Sequence, residues 1–190
     1  MLETLKPQRV FKHFEDICSI PHGSGNTDAI SSYCIDFAKG LGLHCERDGS
    51  NNVLIRKPAS KGYEEHPTVV LQGHLDMVCE KTADCDIDFK KDGLKLRLDG
   101  DMLSADKTTL GADDGIAVAM IMAVLEDDTL CHPPIEALFT TDEETGMYGA
   151  EDFDVKKLKG STFINLDSGE EGVLTVGCAG GAKVDIHAAV

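Results

Sequence analysis

Three apolar stretches of this chain, at residues 69–73, 135–141 and 163–166, each end in side chains that commonly bind metals. Short apolar runs bounded by polar residues are typical of buried strands. If the runs are neighbouring parallel strands, the groups that follow them emerge at one edge of one sheet, where open α/β sheets bind their ligands. The pattern predicts a divalent-metal site with a hydrolytic role. The side chains concerned are His74, Asp76, Asp142, Glu143, Glu144 and Asp167.

A further acidic pair, Asp113 and Asp114, lies between the first two runs and just ahead of an apolar stretch at 116–125. Acids are favoured at the start of a helix by its dipole and by its free N–H groups, which accounts for one of the two. It does not account for the glycines on both sides, Gly111 and Gly115. The pair is therefore a candidate contributor to the same site.

The residue types suggest individual roles. His74 offers a neutral imidazole nitrogen, a good zinc ligand, and Asp76 is placed to accept a hydrogen bond from the other ring nitrogen. Of the adjacent pair Glu143 and Glu144, one carboxylate can bind metal while the other acts as a general base. Each feature alone also fits a surface pair, a solvated acidic turn or a helix cap. Their joint position after strands favours the functional interpretation.

The rest of the chain alternates between helical and extended patterns, which predicts an α/β fold with a mixed, mostly parallel sheet flanked by helices. Helices are expected after Pro7 and after Asn26 or Thr27, either of which suits a capping position. A strand is expected at 52–57 and a hairpin at 94–103. Residues 1–178 are predicted to form one domain. The glycine-rich stretch at 177–182 then resembles a hinge. Residues 179–190 are predicted to begin a second domain, with its first strand in the alternation at 183–190.

Composition restricts the partners and the compartment. The chain has 34 acidic and 18 basic residues, a net charge of −16, which argues against nucleic acid or an anionic membrane as a partner. Its seven cysteines form no regular pattern, so we expect buried thiols in a reducing cytosol, with Cys79 the one nearest the site in sequence. No targeting signal is evident and no run approaches the ~20 apolar residues of a membrane span. A soluble, cytoplasmic protein is expected.

Five motifs, in order along almost the whole chain, resemble those of the aminoacyl-histidine dipeptidases. These enzymes, also called Xaa-His dipeptidases or bacterial carnosinases, belong to the clan of co-catalytic di-zinc exopeptidases. The resemblance implies a catalytic domain of that clan and hydrolysis of an Xaa-His dipeptide. The motifs are GHLDMV at 73–78, TTLGADDGI at 108–116, DEETGMYGA at 142–150, NLDS at 165–168 and GCAGG at 177–181.

The resemblance also implies roles for individual residues. His74 and Asp167 would hold one zinc ion, Asp113 would bridge to a second, and Glu144 would hold that second ion; Co²⁺ or Mn²⁺ are alternatives to zinc. Asp76 would orient His74, and Glu143 would be the general base that takes a proton from the activated water. A cis peptide bond between Asp113 and Asp114 is also implied.

The family contains further segments that correspond to positions beyond Val190, about where its lid domain would begin. In the family a lid or dimerisation domain is inserted, and the catalytic domain then resumes and supplies a further histidine ligand. His187 is not at the matching position and is expected to be exposed. The resemblance thus implies either the N-terminal part of a longer, homodimeric enzyme or a chain whose partner segment is a separate chain, with little activity in these residues alone. A related metal-dependent aminopeptidase or deacylase, or a non-catalytic metal-binding or interaction module, are the alternatives.

Overall fold

The computed structural model describes residues 2–169, 171–178, 180, 184, 187 and 188. Within these residues the chain forms four α-helices, seven β-strands and one 3₁₀ turn. In chain order they are α1 (Gln8–Cys18), α2 (Asp28–Gly40), β1 (His44–Arg47), β2 (Val53–Lys57), β3 (Val69–His74), β4 (Leu96–Asp99), β5 (Met102–Ala105), α3 (Ala112–Glu126), β6 (Ile135–Thr140), α4 (Tyr148–Asp152), the 3₁₀ turn (Val155–Lys157) and β7 (Thr162–Asn165).

Five strands form one sheet in the order β1-β2-β6-β3-β7. Strand β3 is parallel to both β6 and β7, whereas β2 is antiparallel to β1 and to β6. In register, Val69 of β3 lies opposite Ile135 of β6 and Thr162 of β7, so the three strands run level. The predicted mixed sheet is confirmed, and the three apolar runs of the sequence are its neighbouring parallel strands.

The main core lies between one face of this sheet and helices α1, α2 and α3. Helix α1 contributes Phe14 and Ile17, both 1% exposed, because its apolar residues recur at helical spacing. Helix α3 is apolar on nearly all sides, as expected of a helix that is buried rather than amphipathic. Its last turn is closed by Lys57, whose buried ammonium donates to the main-chain oxygens of Leu125 (2.9 Å) and Asp127 (3.0 Å).

Two details differ from the sequence-based expectation. Thr27 does precede α2, but its side chain makes no capping bond; its hydroxyl instead accepts a hydrogen bond from Asn51 Nδ2 at 3.2 Å. Strand β1 has no apolar run and was not predicted from the sequence. The expected hairpin is confirmed as the antiparallel pair β4–β5, which turns at Gly100 with a positive φ of 62°.

The predicted strand at 183–190 and the domain boundary after 178 lie mostly outside the described residues, so the second domain stays a prediction. His187, which is described, is exposed. All seven cysteines carry free thiols, but only Cys18 and Cys34 are buried, so the expectation of buried thiols is wrong for the other five, of which Cys131 and Cys178 are exposed. In the part of the chain that the structure describes, no helix combines the length and the apolar character needed to cross a bilayer.

Candidate metal centre

The ends of β3, β6 and β7 bring the predicted side chains together. His74 is the last residue of β3, and its Nε2 lies 3.1 Å from Asp113 Oδ1. The same nitrogen is 4.0 Å from Glu143 Oε2 and 4.0 Å from Asp167 Oδ2. Glu144 joins His74 and Asp113 in a group whose potential ligand atoms all lie within 4.8 Å of one another. The predicted convergence of His74, Asp113, Glu144 and Asp167 is therefore confirmed, and their roles stay predictions.

Two further groups of the same kind share these residues. One combines His74, Glu143 and Asp167, and the other combines Asp113, Asp114 and Asp167, again with ligand atoms within 4.8 Å of one another. The three groups overlap, so the site is one continuous set of oxygen and nitrogen donors. Carboxylate oxygens and imidazole nitrogens are usual ligands of zinc, and the donor set fits such an ion.

The imidazole of His74 is 1% exposed, and Asp76 fixes the position of its Nδ1. Its Nδ1 lies 2.9 Å from the main-chain oxygen of Asp76 and 3.5 Å from that residue's Oδ1. The sequence predicted the carboxylate of Asp76 as the partner, but the nearer acceptor is the carbonyl. This contact leaves Nε2 facing the carboxylates, since the two ring nitrogens have different partners.

The carboxylate of Asp76 has another set of partners. It is buried and accepts hydrogen bonds from the main-chain N–H of Glu143 (3.0 Å) and of Glu144 (3.3 Å). The hydroxyl of Ser24 donates to the same carboxylate at 2.7 Å. Asp76 thus binds the turn that carries the acidic pair, a connection that the sequence pattern did not indicate.

The adjacent acids Asp113 and Asp114 are joined by a cis peptide bond, as the family resemblance implied. The two side chains lie in different environments and make different contacts. The side chain of Asp113 is exposed and points to His74, whereas Asp114 is buried and its Oδ2 accepts from the His74 main-chain N–H at 3.0 Å. A Cβ at Gly73 would lie 2.7 Å from that oxygen, so the glycine before His74 permits the contact.

The electrostatics of the site reflect an excess of negative charge. Burial lowers the pKa of His74, but its contacts with Asp76, Asp114 and Asp113 outweigh that effect and raise the pKa to about 10. Burial raises the pKa of Asp114 to about 7. It also raises the pKa values of Glu143, Glu144 and Asp167, and neighbouring acids add to the shift.

No Lys or Arg side chain balances this charge among the residues whose placement is described. Six carboxylates surround the single imidazole, and the ion pairs of the site run only to His74. A divalent cation would lower the pKa values of the acids and favour the neutral imidazole, because metal ligands bind in their deprotonated forms. The site therefore has both the donors and the charge that a cation requires.

Comparison with known proteins agrees with this arrangement. The model of peptidase family M28 matches residues 52–183. The chain is 47% identical over 180 residues to the cytosol non-specific dipeptidase of Escherichia coli K12, an alignment covering 95% of this chain and 37% of that protein.

Solved structures of peptidases are also similar to this chain. The crystal structure of an aminoacylhistidine dipeptidase from Vibrio alginolyticus matches with a TM-score of 0.88 and 44% identity, covering 90% of this chain and 35% of that one. A tripeptidase from Staphylococcus aureus shares the fold, with a TM-score of 0.72 at 22% identity, covering 87% and 44% of the two chains. The present chain thus spans about a third of the length of the first two relatives.

Proposed function

Because the chain belongs to peptidase family M28, we propose that it carries the metal centre of a dipeptidase that hydrolyses Xaa-His dipeptides. The observation that carries the proposal is the set of six carboxylates around one buried imidazole, without a balancing Lys or Arg in the described ranges. The names of the two similar proteins, a non-specific dipeptidase and an aminoacylhistidine dipeptidase, support the substrate class.

The centre is proposed to hold two divalent cations, zinc in the first instance, with Co²⁺ or Mn²⁺ as alternatives. His74 and Asp167 would hold one ion, Glu144 the other, and Asp113 both. The donor groups overlap at His74, Asp113 and Asp167, each of which belongs to two of the three, and this supports two ions that share ligands. The choice of Asp113 as the shared ligand comes from the family resemblance. When bound, such ions lower the pKa of a coordinated water and polarise the scissile carbonyl.

Glu143 is the proposed general base. Its side chain is 34% exposed and lies beside His74, and burial raises its pKa above the usual value of a glutamate. A raised pKa suits a group that accepts a proton from the attacking water and later returns it to the leaving amine. Asp76 would position two of these residues: its main-chain carbonyl holds the His74 imidazole, and its carboxylate holds the main-chain N–H of Glu143.

The adjacent acids provide a matched test of these roles. We expect Glu144→Gln to weaken zinc binding about 10-fold or more, and Glu143→Gln to leave it within about threefold, because only the former removes a ligand. Zinc affinity is measured by calorimetry on this chain. Hydrolysis of an Xaa-His dipeptide is measured in a polypeptide of the relatives' length that contains these residues, where Glu143→Gln is expected to abolish turnover. Zinc loss in parallel with activity in Glu143→Gln would move Glu143 into the ligand set.

These residues alone are proposed to have little dipeptidase activity, even at saturating zinc. A catalytic zinc ion usually has about three protein ligands, whereas the ion at Glu144 would have only Asp113 and Glu144. Comparable turnover by this chain and by a polypeptide of the relatives' length would contradict the ligand assignment. A panel of dipeptides, tripeptides and N-acyl amino acids separates the dipeptidase from an aminopeptidase or a deacylase. Zinc binding without hydrolysis of any of them, in the longer polypeptide, would favour a non-catalytic module.

The setting of the protein is also a proposal. A reducing cytosol suits seven free thiols, and the similar protein of Escherichia coli is named a cytosol dipeptidase. The homodimer formed through a lid domain stays a prediction from the family resemblance.

A further inference from the structure

A short loop at residues 22–26 lies against both of the loops that carry the centre. The main-chain N–H of Met77, after β3, donates to the oxygen of His22 at 3.2 Å. The N–H of Gly25 donates to Asp142 Oδ1, after β6, at 2.6 Å. The approach is close, since a Cβ at Gly23 would lie 2.4 Å from the sulfur of Cys79. The loop therefore connects the strand end that bears His74 with the turn that bears the acidic pair.

Within this loop, the side chain of Ser24 contacts Asp76, which holds the turn of Glu143 and Glu144. Its hydroxyl donates to Asp76 Oδ2 at 2.7 Å, a shorter hydrogen bond than those from the Glu143 and Glu144 N–H groups to that carboxylate. The same oxygen accepts the weaker bond from the Glu144 N–H at 3.3 Å, and the other oxygen accepts from the Glu143 N–H. Because the Asp76 carboxylate is buried, it has no bulk water to replace a lost donor.

We propose that Ser24 is a positioning residue: its hydroxyl fixes the carboxylate of Asp76, which in turn fixes the main chain of Glu143 and Glu144. The inference rests on the proposed function only for the roles given to those two glutamates. Groups that orient metal ligands through hydrogen bonds typically change metal affinity or activity about 10- to 100-fold when they are removed. The hydroxyl of Ser24 stands two hydrogen bonds away from the acidic pair, and its effect should appear there first.

The direct test is amide hydrogen exchange at Glu143 and Glu144, measured by NMR on the metal-free chain. Ser24→Ala is expected to speed exchange at these two amides about fivefold or more, which corresponds to the net value of one hydrogen bond. Ser24→Thr keeps the hydroxyl and should restore slow exchange. Ser60→Ala, which removes a hydroxyl donating to the His132 carbonyl, is the matched control and should leave both amides unchanged. Unchanged exchange in Ser24→Ala would overturn the proposal.

Zinc affinity supplies the second readout. Ser24→Ala should bind zinc about 10-fold more weakly or worse, with Ser24→Thr and Ser60→Ala within about threefold of the parent chain. A purely structural role would lower the urea midpoint of Ser24→Ala without changing the zinc affinity of the folded chain, and that result would contradict positioning. If the parent chain binds no zinc, the proposed function fails, while the exchange rates at Glu143 and Glu144 still decide the role of Ser24.

Discussion

One face of the five-stranded sheet is closed by helices α2 and α3, with α1 packed on α3, whereas in the part of the chain that the structure describes the other face packs against the segment at 148–160. The closed face buries apolar side chains of every neighbouring element, including Ile55 and Phe139 at 0% exposure. The open face has a small cluster of its own, formed by Leu54, Val70, Leu138 and Phe153 with Leu158 against them. Adjacent strand residues such as Leu54 and Ile55 point to opposite faces, so one strand samples both environments.

The open face relies on polar contacts where the closed face relies on burial. Glu136, 1% exposed, accepts from Arg56 Nε at 3.0 Å and from the main-chain N–H groups of Lys159 (2.7 Å) and Gly160 (3.0 Å). At the carboxyl end of the same face, a cavity of about 230 Å³ is lined by Glu143, Asp167 and several apolar side chains. The closed face therefore supports the metal centre, and the open face leaves space beside it.

The largest effect is expected from truncations on the closed face. Ile55→Ala should lower the free energy of unfolding by about 4–5 kcal/mol, near the upper end for such a change, because the tightly packed main core cannot collapse around the cavity. Leu54→Ala, the neighbouring residue on the open face, should cost about 2–3 kcal/mol, since its smaller cluster can relax. Urea denaturation of both variants measures the difference. An equal or larger cost for Leu54→Ala would contradict the comparison.

A smaller effect is expected from the polar network of the open face. Glu136→Ala removes the acceptor of three donors and leaves the guanidinium of Arg56 without its buried partner. Because Arg56 keeps 23% of its side chain exposed, the cost should be about 3 kcal/mol, at the low end for a broken buried ion pair. Glu136→Gln is the control, since it retains an acceptor oxygen and should lose less. A cost below about 1 kcal/mol for Glu136→Ala would mean that the open face does not depend on this network.

Some of the strands could be predicted from the sequence and others could not. The parallel strands β3, β6 and β7 were predicted because apolar runs report burial directly, and the runs end where their polar residues begin. Strand β1 was missed because its four residues, His44–Arg47, include no apolar run and pair at the sheet edge. Local pattern thus identified the buried strands and the convergence of the site.

Contacts distant in sequence left no such signal. Ser24 lies 52 positions before Asp76, and Glu136 lies 80 positions after Arg56, so neither pair has a local spacing that identifies it. Glu136 even stands inside an apolar run, where its burial is explained by its hydrogen bonds to Arg56 and to the N–H groups of Lys159 and Gly160. Asp114 was noted in the sequence only beside Asp113, and its bond to the His74 N–H depends on the absence of a side chain at Gly73. These features follow from the tertiary arrangement.

The smallest effects on the fold are expected from chemical labelling of the cysteines, which compares how readily each face of the sheet is reached by a reagent. Cys18 and Cys34 belong to the main core, and burial raises the pKa of both thiols to about 12. A thiol is protonated below its pKa, so at pH 8 roughly one part in ten thousand of either group is the reactive thiolate. Exposed Cys131 and Cys178 should therefore react first with a thiol reagent such as 5,5′-dithiobis(2-nitrobenzoate), while Cys18 and Cys34 react only on unfolding.

The open face has its own reporter in Phe163→Cys, which replaces a side chain that is 53% exposed on β7. This thiol should react at a rate close to that of Cys131, and the substitution should lower the free energy of unfolding by about 1 kcal/mol, since only about half of the Phe163 side chain is buried. Cys131→Ser and Cys178→Ser, separately and combined, assign the fast phase of the parent chain. Fast reaction of Cys34 in the folded chain would mean that the closed face opens as readily as the other, because its thiol is reached only by separating α2 from the sheet beneath it.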